Sequence, residues 1–287
     1  MTAGTESRAF TVHRMAPLFA SEILDLDLSQ PLSDETFAEI HALFLDHAVL
    51  VFRDQKLGDD AFLAFTKRFG PMDVHHLAEH HKEGRPEIRI LSNDKKNGQY
   101  VGAYNAGMVW HTDQSYKERP MLATFLLGDV CPPVGAETQY ANMTAAYDAL
   151  PQETKARIDG LVAVHDRNFS YAERYPERPP LTPEELAELP PVAHPLVRTH
   201  PETGRRGLFL ALSDIRDIEG MDRESALALV RELADFATGD EFVYSHKWRD
   251  GDLVVWDNRC TMHRATPYDQ KYRRYMRRTQ VRGDRPF

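Results

Sequence analysis

Residues 242–283 read FVYSHKWRDGDLVVWDNRCTMHRATPYDQKYRRYMRRTQVRG. FVYSHKW (242–248) and LVVW (253–256) are separated by the turn-forming Arg249-Asp250-Gly251-Asp252, and a further turn region precedes RRYMRRTQVRG (273–283). Short β-rich runs bounded by Gly- and Asp-containing turns read as strands. Upstream, HPLVRTH (194–200) and RRGLFLAL (205–212) flank Pro201-Glu202-Thr203-Gly204, which predicts a hairpin over His194 to Leu212. Met121 to Val130, Glu87 to Leu91 and the apolar run Ala48 to Phe52 add further strands. Strands thus occur at both ends of the chain and do not alternate regularly with helices. That disfavours a parallel doubly wound sheet and favours a β-sandwich or jelly roll with helices outside it.

The helices follow from capping and periodicity. Ser33 or Asp34 caps a helix carrying Phe37, Ile40 and Phe44, and Asp59 or Asp60 caps one carrying Phe62, Phe65 and Phe69, stopped by Gly70. Thr144 caps a short helix ending before Pro151, which opens another, and Thr182-Pro183-Glu184-Glu185 is a third type of start, with proline at the first position. Asp222 to Ala237 is amphipathic, with Ala226, Leu229, Leu233 and Phe236 on one face. Residues 73–107 are rich in His, Lys, Gly and Asn and read as a long loop, a feature that is usually functional inside a compact domain.

Composition narrows the function classes. The 287 residues are 42% hydrophobic and 28% charged, which fits a globular chain rather than a disordered or fibrous one. The net charge of −9 argues against nucleic acid as the main partner. No uncharged apolar run approaches the roughly 18–20 residues that span a bilayer, so no membrane partner is expected. The opening MTAGTESRAF is polar, without the apolar stretch of a secretory signal. Two cysteines, Cys131 and Cys260, make no disulfide framework, and a reducing cytoplasm is the expected compartment. Room is left for a homo-oligomer. Thirteen histidines direct attention to metal chemistry.

The sharpest constellation is Trp110-His111-Thr112-Asp113. On a strand, residues two apart share one face at a Cα separation of roughly 6.6 Å, so His111 and Asp113 can converge on one metal. A third ligand must come from elsewhere, and His263, after LVVW and the turn DNRC, is the best candidate. Two imidazoles and one carboxylate form the facial triad of non-haem Fe(II) oxygenases, which leaves coordination positions open. Downstream, Arg273-Arg274-Tyr275-Met276-Arg277-Arg278 places Arg274, Met276 and Arg278 on one face of a strand and Arg273, Tyr275 and Arg277 on the other. An inward guanidinium requires an anion, so two of them beside a metal suggest two anionic ligands. The competing view is a solvated basic edge strand. His75, His76, His80 and His81 allow a second, zinc-like cluster, although no cysteine supports it.

The chain resembles the Fe(II)/2-oxoglutarate-dependent dioxygenases of the taurine dioxygenase and 2,4-dichlorophenoxyacetate dioxygenase type. The resemblance runs through VLVFRDQ (49–55), FTKRFGP (65–71), WHTDQSY (110–116), MTAAYDALP (143–151), HPLVRTHPETGR (194–205), GDLVVWDNRCTMHRA (251–265) and RRYMRRTQVRGDRPF (273–287). It implies an α+β fold with a double-stranded β-helix (jelly roll) core and flanking helices, as a single domain over residues 1–287. It implies Fe(II) held by His111, Asp113 and His263, with 2-oxoglutarate and O2 as co-substrates. Arg274 would pair with the distal carboxylate of 2-oxoglutarate and Thr138 would hydrogen-bond the same molecule. Arg278 would bind the acidic group of a small anionic organic substrate, and His75 matches a histidine that lines the substrate site of the taurine enzyme. Two departures stand out. GAET (135–138) replaces the more usual GGDT, and Asp73 stands where the taurine enzyme has its first histidine of the stretch. NMTAAYDALP and FVYSHKW look more like the aryloxyacetate enzyme, GDRPF more like the taurine enzyme. The expected reaction is hydroxylation of an aryloxyalkanoate-like carboxylate, which then fragments to a phenol and an oxo acid. The alternatives are a taurine or alkylsulfonate dioxygenase, a jelly roll that binds a small acid without turnover, and a zinc hydrolase using the same triad.

Overall fold

A computed structural model of the protein describes residues 9–75, 78–104, 106–174 and 180–287. Two sheets face each other. The larger one has the strand order Thr11–Arg14, Ser21–Leu24, Val49–Phe52, Leu253–Asp257, Met121–Val130, Tyr275–Arg282, Arg85–Ser92, His81–Lys82. The smaller one sets Thr138–Asn142 between Val243–His246 and Thr261–Ala265. Neighbours in both are antiparallel except Ser21–Leu24 with Val49–Phe52. The order brings N-terminal, central and C-terminal strands side by side, as expected of a jelly roll rather than of a doubly wound sheet.

Period-two alternation gives the large sheet two different faces. Leu50, Phe52, Phe125, Leu127, Leu253, Val255 and Val281 point outward, into a core closed by helices Asp34–His47 and Asp59–Lys67 through Phe44, Phe62, Phe65 and Phe69. Val49, Val51, Leu126, Val254, Trp256 and Met276 point inward and meet Tyr140 and Tyr244 of the small sheet. A third core lies beneath helix Arg223–Ala237, against Met143, Leu208 and Ile215. Fold and helix positions thus agree with the sequence reading, and several local details differ.

Ser33 does cap the first helix, accepting from the Thr36 N–H, but Gly58 rather than Asp59 or Asp60 takes the cap position of the second. That helix ends at Lys67, and Gly70 lies beyond it at φ +144°, where an added Cβ would meet Val281 Cγ1 at 2.9 Å. Asn142, not Thr144, caps Met143–Ala149, because the last strand residue already places its carboxamide on the Ala145 N–H. The hairpin pairs Val197–Thr199 with Arg206–Leu208, whereas His194 belongs to the neighbouring sheet through Ala163. Phe236 is exposed; Val230 and Ala234 join the buried face of its helix instead. The stretch 73–107 contains the strand Arg85–Ser92 and the small ladder of Lys95–Lys96 with Gln99–Tyr100.

Candidate active site

The small sheet brings the histidines together. His111 forms a single antiparallel bridge with His263: each backbone N–H donates to the other's carbonyl, at 3.0 and 2.9 Å. The segment 110–113 is therefore one bridge and not the strand expected of it, because the chain turns at Gln114, φ +53°. The bridge is sufficient. The imidazole centroids lie 4.2 Å apart, and Asp113 Oδ1 is 3.7 Å from His111 Nε2 and 3.8 Å from His263 Nε2. One donor atom from each of the three falls within 4.8 Å of the others.

The surroundings leave these atoms suited to ligate a metal. The Nδ1 of His111 lies 2.8 Å from the Val109 carbonyl, which can only accept, so Nδ1 donates there and Nε2 is the nitrogen turned towards Asp113. Burial, reinforced by His111, pushes the His263 imidazole well below its ordinary range and keeps it neutral. Burial of Asp113 works against its charge. Arg278 above all, then the two imidazoles and the Thr124 hydroxyl, outweigh that burial and hold the carboxyl far below the usual carboxylate range. Trp256 packs 4.7 Å from the His263 ring, and Trp110 is buried in the core beside it under the Arg264 guanidinium, 4.8 Å away.

The arginines separate as alternation requires. Arg278 Nη2 reaches Asp113 Oδ1 at 2.6 Å, while its Nε is buried and makes no hydrogen bond among the described residues. Arg274 is buried and forms no ion pair with any described residue; it opens on a pocket lined by Tyr104, Met108, Ala136, Ala265 and Tyr268. Its strongest influence is burial, which lowers its affinity for the proton. Arg277, on the opposite face, pairs with Asp129 and Asp59 at 2.7 and 2.8 Å. The view of this strand as a solvated basic edge does not hold, since it lies inside the sheet between Met121–Val130 and Arg85–Ser92.

Thr138 opens the central strand of the small sheet opposite Ala265, a residue of the Arg274 pocket, and accepts from Trp248 Nε1 at 3.0 Å. The GAET departure leaves the turn intact, because Ala136 adopts the left-handed conformation, φ +59°, next to Gly135 at φ +77°. His75 lies apart from the triad contacts. Its Nε2 accepts from Arg89 at 3.0 Å, and Arg89 is the cross-strand partner of Arg278. The zinc-like cluster does not form among the described residues: His81 bonds to the His75 carbonyl, His80 pairs with Glu79, and His76 lies outside the described residues. His194 bonds the Lys117 carbonyl. Sequence reading missed a second group, His200, Asp257 and Cys260, whose donor atoms also fall within 4.8 Å of one another. There the Asp257 carboxylate is saturated by Arg259 and His200, and burial pushes the Cys260 thiol well up. That group is a salt-bridged corner, suited neither to a cation nor to a nucleophile.

Residues 11–280 match the family described as "Taurine catabolism dioxygenase TauD, TfdA family". The alpha-ketoglutarate-dependent 2,4-dichlorophenoxyacetate dioxygenase of Cupriavidus pinatubonensis is 35% identical, over 93% of this chain and 96% of its own. The (S)-phenoxypropionate/alpha-ketoglutarate-dioxygenase of Sphingobium herbicidovorans is 32% identical, over 97% and 96%. Among solved structures, AAD-2 in complex with Mn(II) and N-oxalylglycine superposes with a TM-score of 0.83 at 36% identity, covering 96% of this chain and 98% of that one.

Proposed function

The chain belongs to the TauD, TfdA family of taurine catabolism dioxygenases, and on that premise we propose that it cleaves an aryloxyalkanoate-type carboxylate to a phenol and an oxo acid. It is a 2-oxoglutarate-dependent dioxygenase using Fe(II), 2-oxoglutarate and O2. Membership decides against the metal-free binding protein and the zinc hydrolase. The iron with its co-substrates supplies the oxidising power: 2-oxoglutarate leaves as succinate and CO2 with one oxygen atom, and the other oxygen enters a substrate C–H bond. In this reading residues 1–287 form one catalytic domain.

In this reading His111, Asp113 and His263 hold the iron. Their fit rests on the donor chemistry: two imidazoles and one carboxylate, with one donor atom from each within 4.8 Å of the others. Arg274 anchors 2-oxoglutarate, supported by its burial at the wall of a pocket without a carboxylate partner among the described residues. Thr138 contributes a hydroxyl beside that pocket, and His75, through Arg89, borders the substrate end.

The observation that carries the substrate class is the 2.6 Å contact of Arg278 with Asp113. The Nε of Arg278 makes no hydrogen bond among the described residues, so the guanidinium keeps N–H capacity for a substrate carboxylate. An anion held there lies next to the metal ligand, and the carbon adjoining the carboxylate is the one presented for attack. In an aryloxyalkanoate that carbon bears the ether oxygen, so its hydroxylation gives a hemiacetal or hemiketal that releases the phenol. The alkylsulfonate reading has less support. Asp73 replaces the expected histidine, and its carboxylate is occupied by Gln114, Lys117 and Arg282.

The test is a panel of aryloxyacetates, 2-aryloxypropionates, their methyl esters and alkylsulfonates, assayed with Fe(II), 2-oxoglutarate and ascorbate. Phenol release matched by succinate is expected from the acids and not from the esters. Sulfite release from sulfonates alone would overturn the substrate class, and equal turnover of acid and ester would remove Arg278 from its role.

A further inference from the structure

Beyond the three donors, one buried hydroxyl touches the carboxylate of Asp113. Thr124 lies within Met121–Val130, on the inward face, opposite Trp256 on one neighbouring strand and Gln280 on the other. Its Oγ1 is 2.7 Å from Asp113 Oδ2. Asn258 Nδ2 and Gln280 Nε2 each lie 3.0 Å from the same Oγ1. A hydroxyl has one proton and two lone pairs. Two amide N–H groups occupy the lone pairs, so the proton has only Asp113 Oδ2 to go to.

The amides themselves have no freedom to reverse. Asn258 Oδ1 accepts from the Trp256 indole at 3.1 Å, and an indole only donates, so Nδ2 must face Thr124. Gln280 Oε1 accepts from Gln114 Nε2 at 2.9 Å, and that Nε2 also reaches Asp73 Oδ2 at 3.2 Å. Asp73, paired with Lys117, only accepts. The polarity of the chain of bonds is therefore set at one end by an indole and at the other by a carboxylate.

We infer that Thr124 is a positioning residue that limits Asp113 to a single metal-facing oxygen. Its donated bond engages Oδ2, while Oδ1, which Arg278 Nη2 also touches at 2.6 Å, is the atom facing His111 Nε2 and His263 Nε2. A carboxylate free to rotate would bring both oxygens to the metal and take a coordination position that the co-substrates need. Hydrogen bonds to ligating groups fix their orientation and are costly to lose. The inference rests on the reading of His111, Asp113 and His263 as the metal ligands.

The test uses Co(II) as probe, without turnover, following its visible ligand-field absorption and its binding by calorimetry. Thr124→Val keeps the shape and removes the hydroxyl; Thr124→Ser keeps the hydroxyl. The valine variant is expected to bind Co(II) about 10- to 100-fold more weakly, with an altered ligand-field spectrum, and the serine variant to stay within about threefold of the parent. Should the valine variant not fold, Thr124→Cys, which matches serine in branching but has only a weak donor, is expected to fall well below serine. A valine variant (or cysteine, in that case) with unchanged affinity and spectrum overturns the inference, as does a serine variant as weak as valine, since packing of the methyl group would then be the cause. A parent protein that binds no Co(II) is a separate result, and overturns the metal reading beneath the inference.

Discussion

At the scale of single residues, the proposed site separates the groups assigned to the metal from the groups assigned to anions. His111 is partly exposed and joined to the fold by one backbone bridge, so removing its ring spares the core. His111→Ala is expected to abolish succinate formation with a melting temperature close to that of the parent; retained turnover would take His111 out of the metal site. Arg274 meets no carboxylate among the described residues, so its charge is left for a ligand. A charge-assisted hydrogen bond contributes about 1.5–3 kcal/mol, so Arg274→Ala should weaken 2-oxoglutarate binding roughly ten- to a hundred-fold, measured by calorimetry on the metal-loaded protein.

At the scale of elements, the strand Tyr275–Arg282 and its approach divide their arginines by alternation. Arg274 and Arg278 face the site, while Arg277 ties the start of helix Asp59–Lys67 to the sheet through Asp59 and Asp129. Removing one partner of a buried ion pair costs about 3–5 kcal/mol. Arg277→Ala should therefore lower stability by about 3 kcal/mol in a urea titration and leave 2-oxoglutarate affinity unchanged, the reverse of Arg274→Ala. A drop in co-substrate affinity alone would show that the two faces are not independent. The helix Met143–Ala149 offers a second check: Asn142→Ala removes its cap and should cost about 1 kcal/mol, whereas Thr144→Ala should not produce that loss of capping.

At the scale of the whole molecule, stability depends on imidazoles that must stay neutral. Both ring nitrogens of His165 are buried and make no hydrogen bond among the described residues, and its ring lies 5.2 Å from that of His194. Burial, with His194 beside it, holds His165 well below its ordinary value of 6.5; burial lowers His194 and His246 as well. Such a group takes up a proton more readily in the unfolded chain. Its contribution is complete above the unfolded value and is lost as pH falls below about 6.5, at up to about 1.4 kcal/mol per pH unit per histidine. Denaturation midpoints should therefore be flat above about pH 7.5 and decline below pH 6.5. His165→Phe should make the decline shallower, and an unchanged acid limb would remove His165 as a contributor.

Local regularities in the chain were enough to assign the all-important alternations. Period-two spacing put Arg274 with Arg278, and turn residues between apolar runs pointed to antiparallel strands and a jelly roll; the expected closeness of His111 and Asp113 holds, but through one bridge and a turn and not through the strand it was argued from. These features depend on neighbours within a few residues, which is why they are legible in one dimension. The sequence order WHTD, WDNRxxxH and RRxMxR also carried the family resemblance. Sheet register decided the rest. The mutual backbone bonds of His111 and His263, the contact of Arg278 with Asp113 and the Thr124–Asn258–Gln280 junction each join residues far apart in the chain. Shifting any one of those strands by a single residue would turn its side chains to the opposite face. Thr124 gave no signal in the sequence, because a threonine within an apolar strand is unremarkable until three separate strands and turns converge on its hydroxyl. The chain's own pattern therefore determined which residues could share a face, and only the packed sheets decided which faces meet, since register is set by the summed burial of many side chains and not by any local motif.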